Sequence, residues 1–249
     1  MIQLHLSSPR MWKPPRLRPD ADELRRSGRV ISAHAPYLCN PASPDLEVRT
    51  RTERLLQETL DAASRVGAGG VVVHAGHAGP TGTVEEAVDR WLELLSRLES
   101  SVPLWIENTA SGRSSPGRRL DDLRRFFATI RSSSPRLTVG CCLDVAHAFA
   151  GDPATNEEPD EWVRGLADAA GRIDLVHVND SGVDAGAGRD RHTNLGLGRM
   201  GLATIGAMVV ASHAPAAVLE TPGGTSHRRQ DLAILHHLVG REYIAPIDT

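Results

Sequence analysis

Six metal-capable side chains close six short apolar runs along this chain. They are His34, His74, Glu107, Asp144, His177 and Glu220. Imidazole nitrogen and carboxylate oxygen suit Zn²⁺ or Mn²⁺, and a carboxylate can bridge two such ions. A single His or Glu at such a position is more often a solvated or hydrogen-bonded loop residue. The repetition at six run ends instead predicts a shared metal site.

Three further residues extend this set. His147 follows Asp144 by three positions, so one turn of chain would direct both toward neighbouring metals. Asp190 and His192 are separated by one residue, and side chains at i and i+2 of an extended segment project to the same side. On its own the Asp190 segment would be interpreted as a charged surface turn. Beside the other candidates it predicts one more metal site.

Short β-rich runs alternate with longer helical patterns, which predicts a parallel sheet covered by helices. The predicted strands are 2–6, 30–34, 70–74, 103–107, 138–144, 174–178 and 216–220. The carboxyl ends of parallel barrel strands converge at one rim, where residues far apart in sequence meet. We therefore expect the metal-capable side chains to lie together at that rim.

A helix is predicted after each strand. The strongest pattern follows Thr83, where Val88, Trp91, Leu95 and Leu98 share one face at the helical period. The pattern at 120–130 repeats it, and the remaining predicted helices are 20–28, 45–66, 159–171, 201–212 and 226–240. This makes seven strand–helix units, whereas a closed barrel of this class has eight.

Bulk composition narrows the class of protein. The 249 residues are 40% hydrophobic, enough for one large α/β barrel, so a single domain over 1–249 is expected. The longest apolar runs, 69–73 and 102–106, are far shorter than a membrane span, and there is no signal-peptide pattern. Three cysteines without a paired spacing predict buried thiols rather than a disulfide framework. We expect a cytoplasmic monomer with no membrane partner.

Seven segments, in order, resemble the signature segments of the endonuclease IV family, also called AP endonuclease family 2, on the xylose isomerase-like TIM barrel. The resemblance covers about residues 2–223. Its segments are HAPYLCN from His34, VVVHAGHAG ending at Gly79, IENTASG from Ile106, CLDVAHAFA from Cys142, VHVNDS from Val176, RDRHTNLGLG from Arg189 and LETPG from Leu219. It implies a TIM (β/α)8-type fold and cleavage of double-stranded DNA at abasic sites.

The resemblance also implies roles for the candidate residues. It implies three zinc ions, one held by His34 and His74, a second by Asp144, His177 and Glu220 with Glu107 bridging these two, and a third by His147, Asp190 and His192. Metal coordination lowers the pKa of water toward ~7, which supplies hydroxide for attack on the phosphodiester 5′ to the abasic site. The products would be a 3′-hydroxyl and a 5′-deoxyribose phosphate, as base excision repair requires. Glu107 and Glu220 are the predicted catalytic carboxylates, with proton transfer assigned to Glu220.

Lesion recognition is implied for three other residues. Arg10, in a segment that resembles the family's first DNA-contact loop, would insert into the DNA stack, and Tyr37 and Leu38 match a second such loop. Ser8 stands where the family usually has Asn. Tyr37 could instead be a packed aromatic at the barrel rim. Because the net charge is −3 and the pI about 6.4, attraction to DNA must be local rather than global.

The sequence leaves two possible roles open for each of several polar residues. Asn108 and Asn179 would either orient ligands or touch phosphate, and His77 would either contact phosphate or bond within its loop. His5 and four C-terminal histidines, His213, His227, His236 and His237, have the pattern of ordinary surface or packing residues.

The chain departs from the family at its start and leaves two rival functions. The resemblance begins at the family's second strand, so we expect a barrel that lacks the first β/α unit and exposes two sheet edges. One rival is a single-metal sugar isomerase or epimerase on the same barrel, which would not need His147, Asp190 and His192. The other is a catalytically silent DNA-damage-binding protein, which the intact ligand set disfavours.

Overall fold

Nine β-strands organise the fold. The computed structural model describes residues 1–240 except residue 17, so the last nine positions of the expected 1–249 domain lie outside the described residues. The strands are β1 (Ile2–Leu4), β2 (Ile31–His34), β3 (Val71–His74), β4 (Leu104–Glu107), β5 (Val139–Asp144), β6 (Leu175–Val178), β7 (Asp180–Ser181), β8 (His192–Thr193) and β9 (Ala217–Leu219). All seven strands expected from the sequence are present.

Helices follow these strands in the expected order. They are α1 (Ala21–Arg26), α2 (Leu46–Val66), α3 (Val84–Leu95), α4 (Leu120–Ser133), α5 (Val145–Gly151), α6 (Ala154–Glu157), α7 (Pro159–Ala170), α8 (Leu202–Ser212) and α9 (Thr225–Leu238). Local chemistry sets where the best of them begin. The Asp45 side chain accepts from two backbone N–H groups of α2, and Thr83 forms a capping box with Glu86 at α3. Among the described helices none has the length and apolarity to cross a membrane.

The seven long strands form one parallel sheet in the order β1-β2-β3-β4-β5-β6-β9, and each neighbouring pair is parallel. The sheet curls so that its two edges approach. Gln3 on β1 donates to the carboxylate of Glu220, the residue after β9, at 2.5 Å. The described residues therefore form a nearly closed TIM-type barrel of seven strands, as the sequence predicts for a barrel that lacks one β/α unit.

A seam separates the two edges of this barrel. Within the described residues, β1 and β9 share no backbone ladder. An apolar groove of about 600 Å³ lies beside the seam and is lined from the β1, α8, β9 and α9 regions. Val30 and Val210 on this groove are 59% and 54% exposed. An open sheet is expected to leave apolar surface in contact with water, and these two valines are such surface.

The barrel interior has a floor beneath the strand ends. Successive strand residues point to opposite faces, so residues two positions before the metal-capable ends also point inward. Four of them, Val72, Trp105, Cys142 and Leu175, form a small buried cluster distinct from the larger core between sheet and helices. The metal-capable side chains stand above this floor and are thereby shielded from the lower end of the barrel.

Candidate metal centre

The structure brings all nine sequence-predicted ligands to one rim of the barrel. Four are the last residues of strands, His177 is the third residue of β6, and Glu220 follows β9 directly. His147 lies in α5, Asp190 lies two residues before β8, and His192 is the first residue of β8. Each is within 4.0 Å of another member of the set, measured between ligand atoms.

Glu107 occupies the middle of this network and is fully buried. Its Oε2 lies 3.1 Å from His34 Nε2 and 3.2 Å from His74 Nε2. Its Oε1 lies 3.0 Å from His177 Nδ1 and 3.3 Å from His147 Nδ1. Because the two oxygens face different histidines, this carboxylate has the arrangement that a bridging ligand needs.

A second group forms around His177. Its Nδ1 lies 3.4 Å from Glu220 Oε2 and 4.0 Å from Asp144 Oδ2, and it also faces Glu107. These four residues form a cluster whose ligand atoms all lie within 4.8 Å of one another. The group has three carboxylates and one imidazole, a donor set that suits a divalent cation.

A third group joins α5 to the loop before β8. His147 Nε2 lies 3.3 Å from Asp190 Oδ2, and His192 Nε2 lies 3.1 Å from Asp190 Oδ1. His192 Nε2 is buried and makes no hydrogen bond. A buried nitrogen left without a hydrogen bond beside carboxylate oxygens fits a metal ligand, since such groups are otherwise paired. Both histidines point toward the other ligands.

A hydrogen bond made by one nitrogen of each of three rings decides which of the two ring nitrogens is available to a metal. His34 Nδ1 donates to the Ala35 carbonyl at 2.6 Å, and His147 Nδ1 to the Asn108 carbonyl at 3.1 Å. The Nε2 atoms of both rings are thus the ones that a metal can use once their protons are displaced. His177 is reversed, because its Nε2 donates to Gln3 Oε1 at 2.8 Å and its Nδ1 faces Glu107. Such outer hydrogen bonds are usual for metal-binding imidazoles.

The spacing of the donors fits zinc. Two ligand atoms that each lie about 2.0–2.1 Å from a tetrahedral Zn²⁺ are about 3.4 Å apart. Most of the separations within the three groups are 3.0–3.4 Å. The nine predicted ligands include no thiol, and Cys39, Cys141 and Cys142 are free and buried. The residues present therefore fit His- and carboxylate-bound zinc.

The charges of the site are strongly coupled. Burial disfavours the charged form of His147, but the carboxylates of Asp144, Asp190 and Glu107 outweigh burial and raise its pKa well above the usual value. Burial would raise the pKa of Asp190, yet the adjacent His147 and His192 lower it to about 2. Anionic carboxylates thus face cationic imidazoles. A bound metal cation can take the place of the protons on these imidazoles.

Asn108 and Asn179 hold the ligands in place. The Asn108 side chain accepts from Asp144 N at 2.7 Å and donates to Asp144 O at 2.9 Å. Asn179 donates to Asp144 Oδ2 at 2.8 Å and accepts from Glu220 N at 3.0 Å. Of the two interpretations left open by the sequence, the structure favours ligand orientation.

The three DNA-contact candidates lie at the same rim. Tyr37 and Leu38 are 46% and 36% exposed, and Arg10 is exposed as well. Tyr37 N donates to the Pro9 carbonyl at 2.9 Å, which joins the two loops, and its ring stacks 5.8 Å from that of His74. Their contact with DNA stays a prediction.

Two residues of the site are missed by sequence reasoning. Gln3 contacts both His177 and Glu220, although no motif marks it. His5 has the sequence pattern of an ordinary surface or packing residue, but its ring lies 5.5 Å from that of His34 and 5.7 Å from that of Tyr37. The available signal is its position two residues after Gln3, which points both side chains the same way along an extended chain. His77 Nδ1 accepts from Gly79 N at 3.1 Å, so the loop hydrogen bond is present.

Comparisons with known proteins agree with this geometry. A family model described as xylose isomerase-like TIM barrel matches residues 8–237. "Probable endonuclease 4" of Mycobacterium tuberculosis (strain ATCC 25177 / H37Ra) is 39% identical over 240 residues, which are 96% of this chain and 91% of that protein. This chain belongs to the endonuclease IV family.

Solved structures agree with the assignment to the endonuclease IV family. Endonuclease IV from Thermus thermophilus superposes with a TM-score of 0.79 at 28% identity, over 96% of this chain and 88% of that one. A D-tagatose 3-epimerase-like protein superposes with a TM-score of 0.71 at 21% identity, over 90% and 84% of the two chains. That second likeness concerns the barrel fold alone.

Proposed function

We propose that this member of the endonuclease IV family is a zinc-dependent apurinic/apyrimidinic endonuclease of base excision repair. It hydrolyses the phosphodiester 5′ to an abasic site in double-stranded DNA and leaves a 3′-hydroxyl and a 5′-deoxyribose phosphate. The observation that carries the proposal is the position of Glu107, whose oxygens face separate histidines between two ligand groups, with a third group alongside.

Three zinc ions account for the nine donors. The proposed ligands are His34, His74 and Glu107 for the first ion, Glu107, Asp144, His177 and Glu220 for the second, and His147, Asp190 and His192 for the third. Zinc in such a cluster neutralises phosphate oxygens, stabilises the leaving 3′-oxygen and lowers the pKa of water toward ~7.

The protein's carboxylates have different tasks in this proposal. Glu107 is fully buried with both oxygens committed to the centre, so it holds the cluster and transfers no proton. Glu220 keeps 17% of its side chain exposed. We therefore assign to Glu220 the proton transfer near the scissile phosphate, in addition to its role as a ligand.

Recognition of the lesion is assigned to the two loops joined by the Pro9 carbonyl. Tyr37 and Leu38 present exposed apolar surface next to the His74 ring, and Arg10 lies on the adjoining loop. Side chains of this kind can wedge into a base stack, and the base-less sugar, which costs least to unstack, can then leave the duplex.

The third ligand group disfavours a sugar isomerase. A single-metal isomerase on this barrel has no use for His147, Asp190 and His192 converging beside a complete second group. A cleavage assay separates the proposal from a catalytically silent damage-binding protein, because a silent protein would bind zinc and DNA without cleavage.

The test uses a duplex oligonucleotide with one reduced abasic analogue, which blocks lyase chemistry. Cleavage that yields a 3′-hydroxyl, stops with a chelator and returns with zinc is the expected result. The same duplex with an intact base is the control and should stay uncut. Intact abasic DNA after incubation with protein of verified zinc content would overturn the proposal.

A further inference from the structure

We propose that Gln3 is a positioning residue of the metal centre, whose carboxamide selects the ligating nitrogen of His177 and aims the carboxylate of Glu220. The inference rests on the proposed function, because it takes these two residues as zinc ligands. Gln3 Oε1 lies 2.8 Å from His177 Nε2, and Gln3 Nε2 lies 2.5 Å from Glu220 Oε1.

Hydrogen-bond chemistry allows one arrangement of these groups. An ionised carboxylate only accepts, so the amide nitrogen of Gln3 must face Glu220, and its oxygen must then face His177. An amide oxygen also only accepts, so His177 Nε2 carries the hydrogen. When the ring is neutral, the lone pair is therefore on His177 Nδ1, the atom that lies 3.0 Å from Glu107 Oε1 and 3.4 Å from Glu220 Oε2. Gln3 thereby determines which ring nitrogen is available to a metal.

The open seam makes this side chain necessary. Gln3 is on β1 and Glu220 follows β9, and these two strands are the edges of the sheet. In a closed barrel a paired neighbouring strand fixes the spacing between strand ends. Here the backbone of Glu220 is held by Asn179, but its carboxylate is held across the seam by Gln3. Ser32 Oγ donates to Gln3 Oε1 at 3.4 Å and supports the carboxamide from β2.

Two substitutions remove the carboxamide in different ways. Gln3→Met keeps the length of the side chain and removes both hydrogen bonds, so His177 can take the other tautomer and Glu220 loses its anchor. Gln3→Glu keeps an acceptor for His177 but sets a carboxylate against that of Glu220. Loss of a partner that orients a ligand typically lowers metal affinity about 10–100-fold. We expect both variants to lower the affinity of one of the three zinc-binding steps by this factor and to leave the affinities of the other steps unchanged.

The matched control is Leu4→Met. Leu4 is the next residue of β1, but it packs on the opposite side, against the core between sheet and helices. This substitution changes the packing of the same strand without touching a ligand, so zinc affinity should equal that of the wild type.

The experiment titrates zinc into the metal-free full chain against a competing chromophoric chelator. Thermal unfolding of the zinc-free proteins is measured in parallel. The inference holds if both Gln3 variants lose affinity at one step, unfold at temperatures close to that of Leu4→Met, and Gln3→Met regains turnover at saturating zinc. If Gln3→Met does not fold, Gln3→Glu decides.

Two other outcomes are distinguishable. Unchanged zinc affinity in the folded Gln3 variants, with normal loading of the wild type, overturns the positioning role and leaves the proposed function standing. A wild-type chain that binds no zinc overturns the metal centre, and the inference with it.

Discussion

At the scale of single residues, both carboxylate oxygens of Glu107 contact histidines. Oε2 faces His34 and His74 and Oε1 faces His177, and each contact is 3.0–3.2 Å. The neighbouring imidazoles outweigh the effect of burial and hold the pKa of Glu107 well below its usual value. The side chain is therefore a carboxylate wherever the protein is folded near neutral pH.

Glu107→Gln should abolish cleavage, because an amide nitrogen carries hydrogens and cannot act as the second ligand atom. We expect a loss of about 10²–10³-fold in kcat, the scale seen when a preorganised electrostatic group is removed, together with reduced zinc content. Steady-state cleavage of the abasic duplex and metal analysis measure the two effects. Glu99→Gln is the matched control, since Glu99 is an exposed residue paired with Arg136. A full rate in Glu107→Gln would remove Glu107 from the bridging role.

Tyr37 offers a prediction about recognition rather than chemistry. Its ring is 46% exposed and stacks on the ring of His74. Tyr37→Ala should weaken binding of the abasic duplex about 5–100-fold, the range for loss of one stacked aromatic contact, and leave zinc content unchanged. Fluorescence anisotropy, measured under conditions in which the protein does not cleave the duplex, gives the affinity. Equal affinity of the variant and the wild type would show that the ring only packs at the rim.

At the scale of elements, the strands β7 and β8 position His192 of the third ligand group. Each has two residues, too few for a periodic sequence pattern. The β7–β8 ladder pairs Ser181 with His192. Asp180, at the start of β7, accepts from the backbone N–H groups of Gly196, Gly198 and Met200 at 3.0, 3.0 and 3.1 Å. One buried carboxylate therefore organises the loop on the far side of His192.

The floor of the barrel gives a prediction about stability. A Cβ at Gly70 would lie 2.2 Å from the ring of Trp105, which is enclosed by other strands and has little room to shift. Gly70→Ala should lower the free energy of unfolding by about 1–3 kcal/mol through overpacking, measured by denaturant unfolding. Gly224→Ala is the control, because its Cβ would meet nothing within 4 Å. Equal stability of the two variants would mean that the ring moves freely.

At the scale of the whole molecule, zinc binding should be coupled to protons. Carboxylates outweigh burial and raise the pKa of His34, and they raise the pKa of His147 well above its usual value. Burial is likewise outweighed at His177, where Cys142, Glu220 and Glu107 raise the pKa well above the usual value. In the metal-free protein these histidines carry protons that zinc must displace.

Zinc affinity should therefore rise with pH, roughly tenfold or more per pH unit, until the pH passes the raised pKa values of these histidines. The stability of the metal-free fold should change in the opposite direction. A raised folded-state pKa stabilises the fold below the unfolded value, and this stabilisation is lost as the pH rises through the folded value. Chelator competition and thermal unfolding at several pH values measure the two trends. Zinc affinity that does not vary with pH would show that the histidines are neutral before zinc binds.

The sequence by itself determined where the strands lie and which metal-capable residues stand at or beside their carboxyl ends. Alternating β-rich and helical runs located the seven strands, because the local periods of apolar residues differ between strands and helices. The meeting of these six residues at one rim then followed, since parallel strands carry their carboxyl ends to the same rim. The helix starts were also local, as the side-chain caps at Asp45 and Thr83 illustrate.

Only the tertiary structure decided how those residues meet. That Gln3 reaches Glu220 and His177, 217 and 174 positions away, depends on the curl of the sheet, which no local pattern encodes. The same holds for His5 beside Tyr37, and for Asn108 and Asn179 turning toward Asp144 rather than outward. Side-chain direction at a strand end is set by the neighbouring strands and by barrel closure, and those are properties of the folded chain.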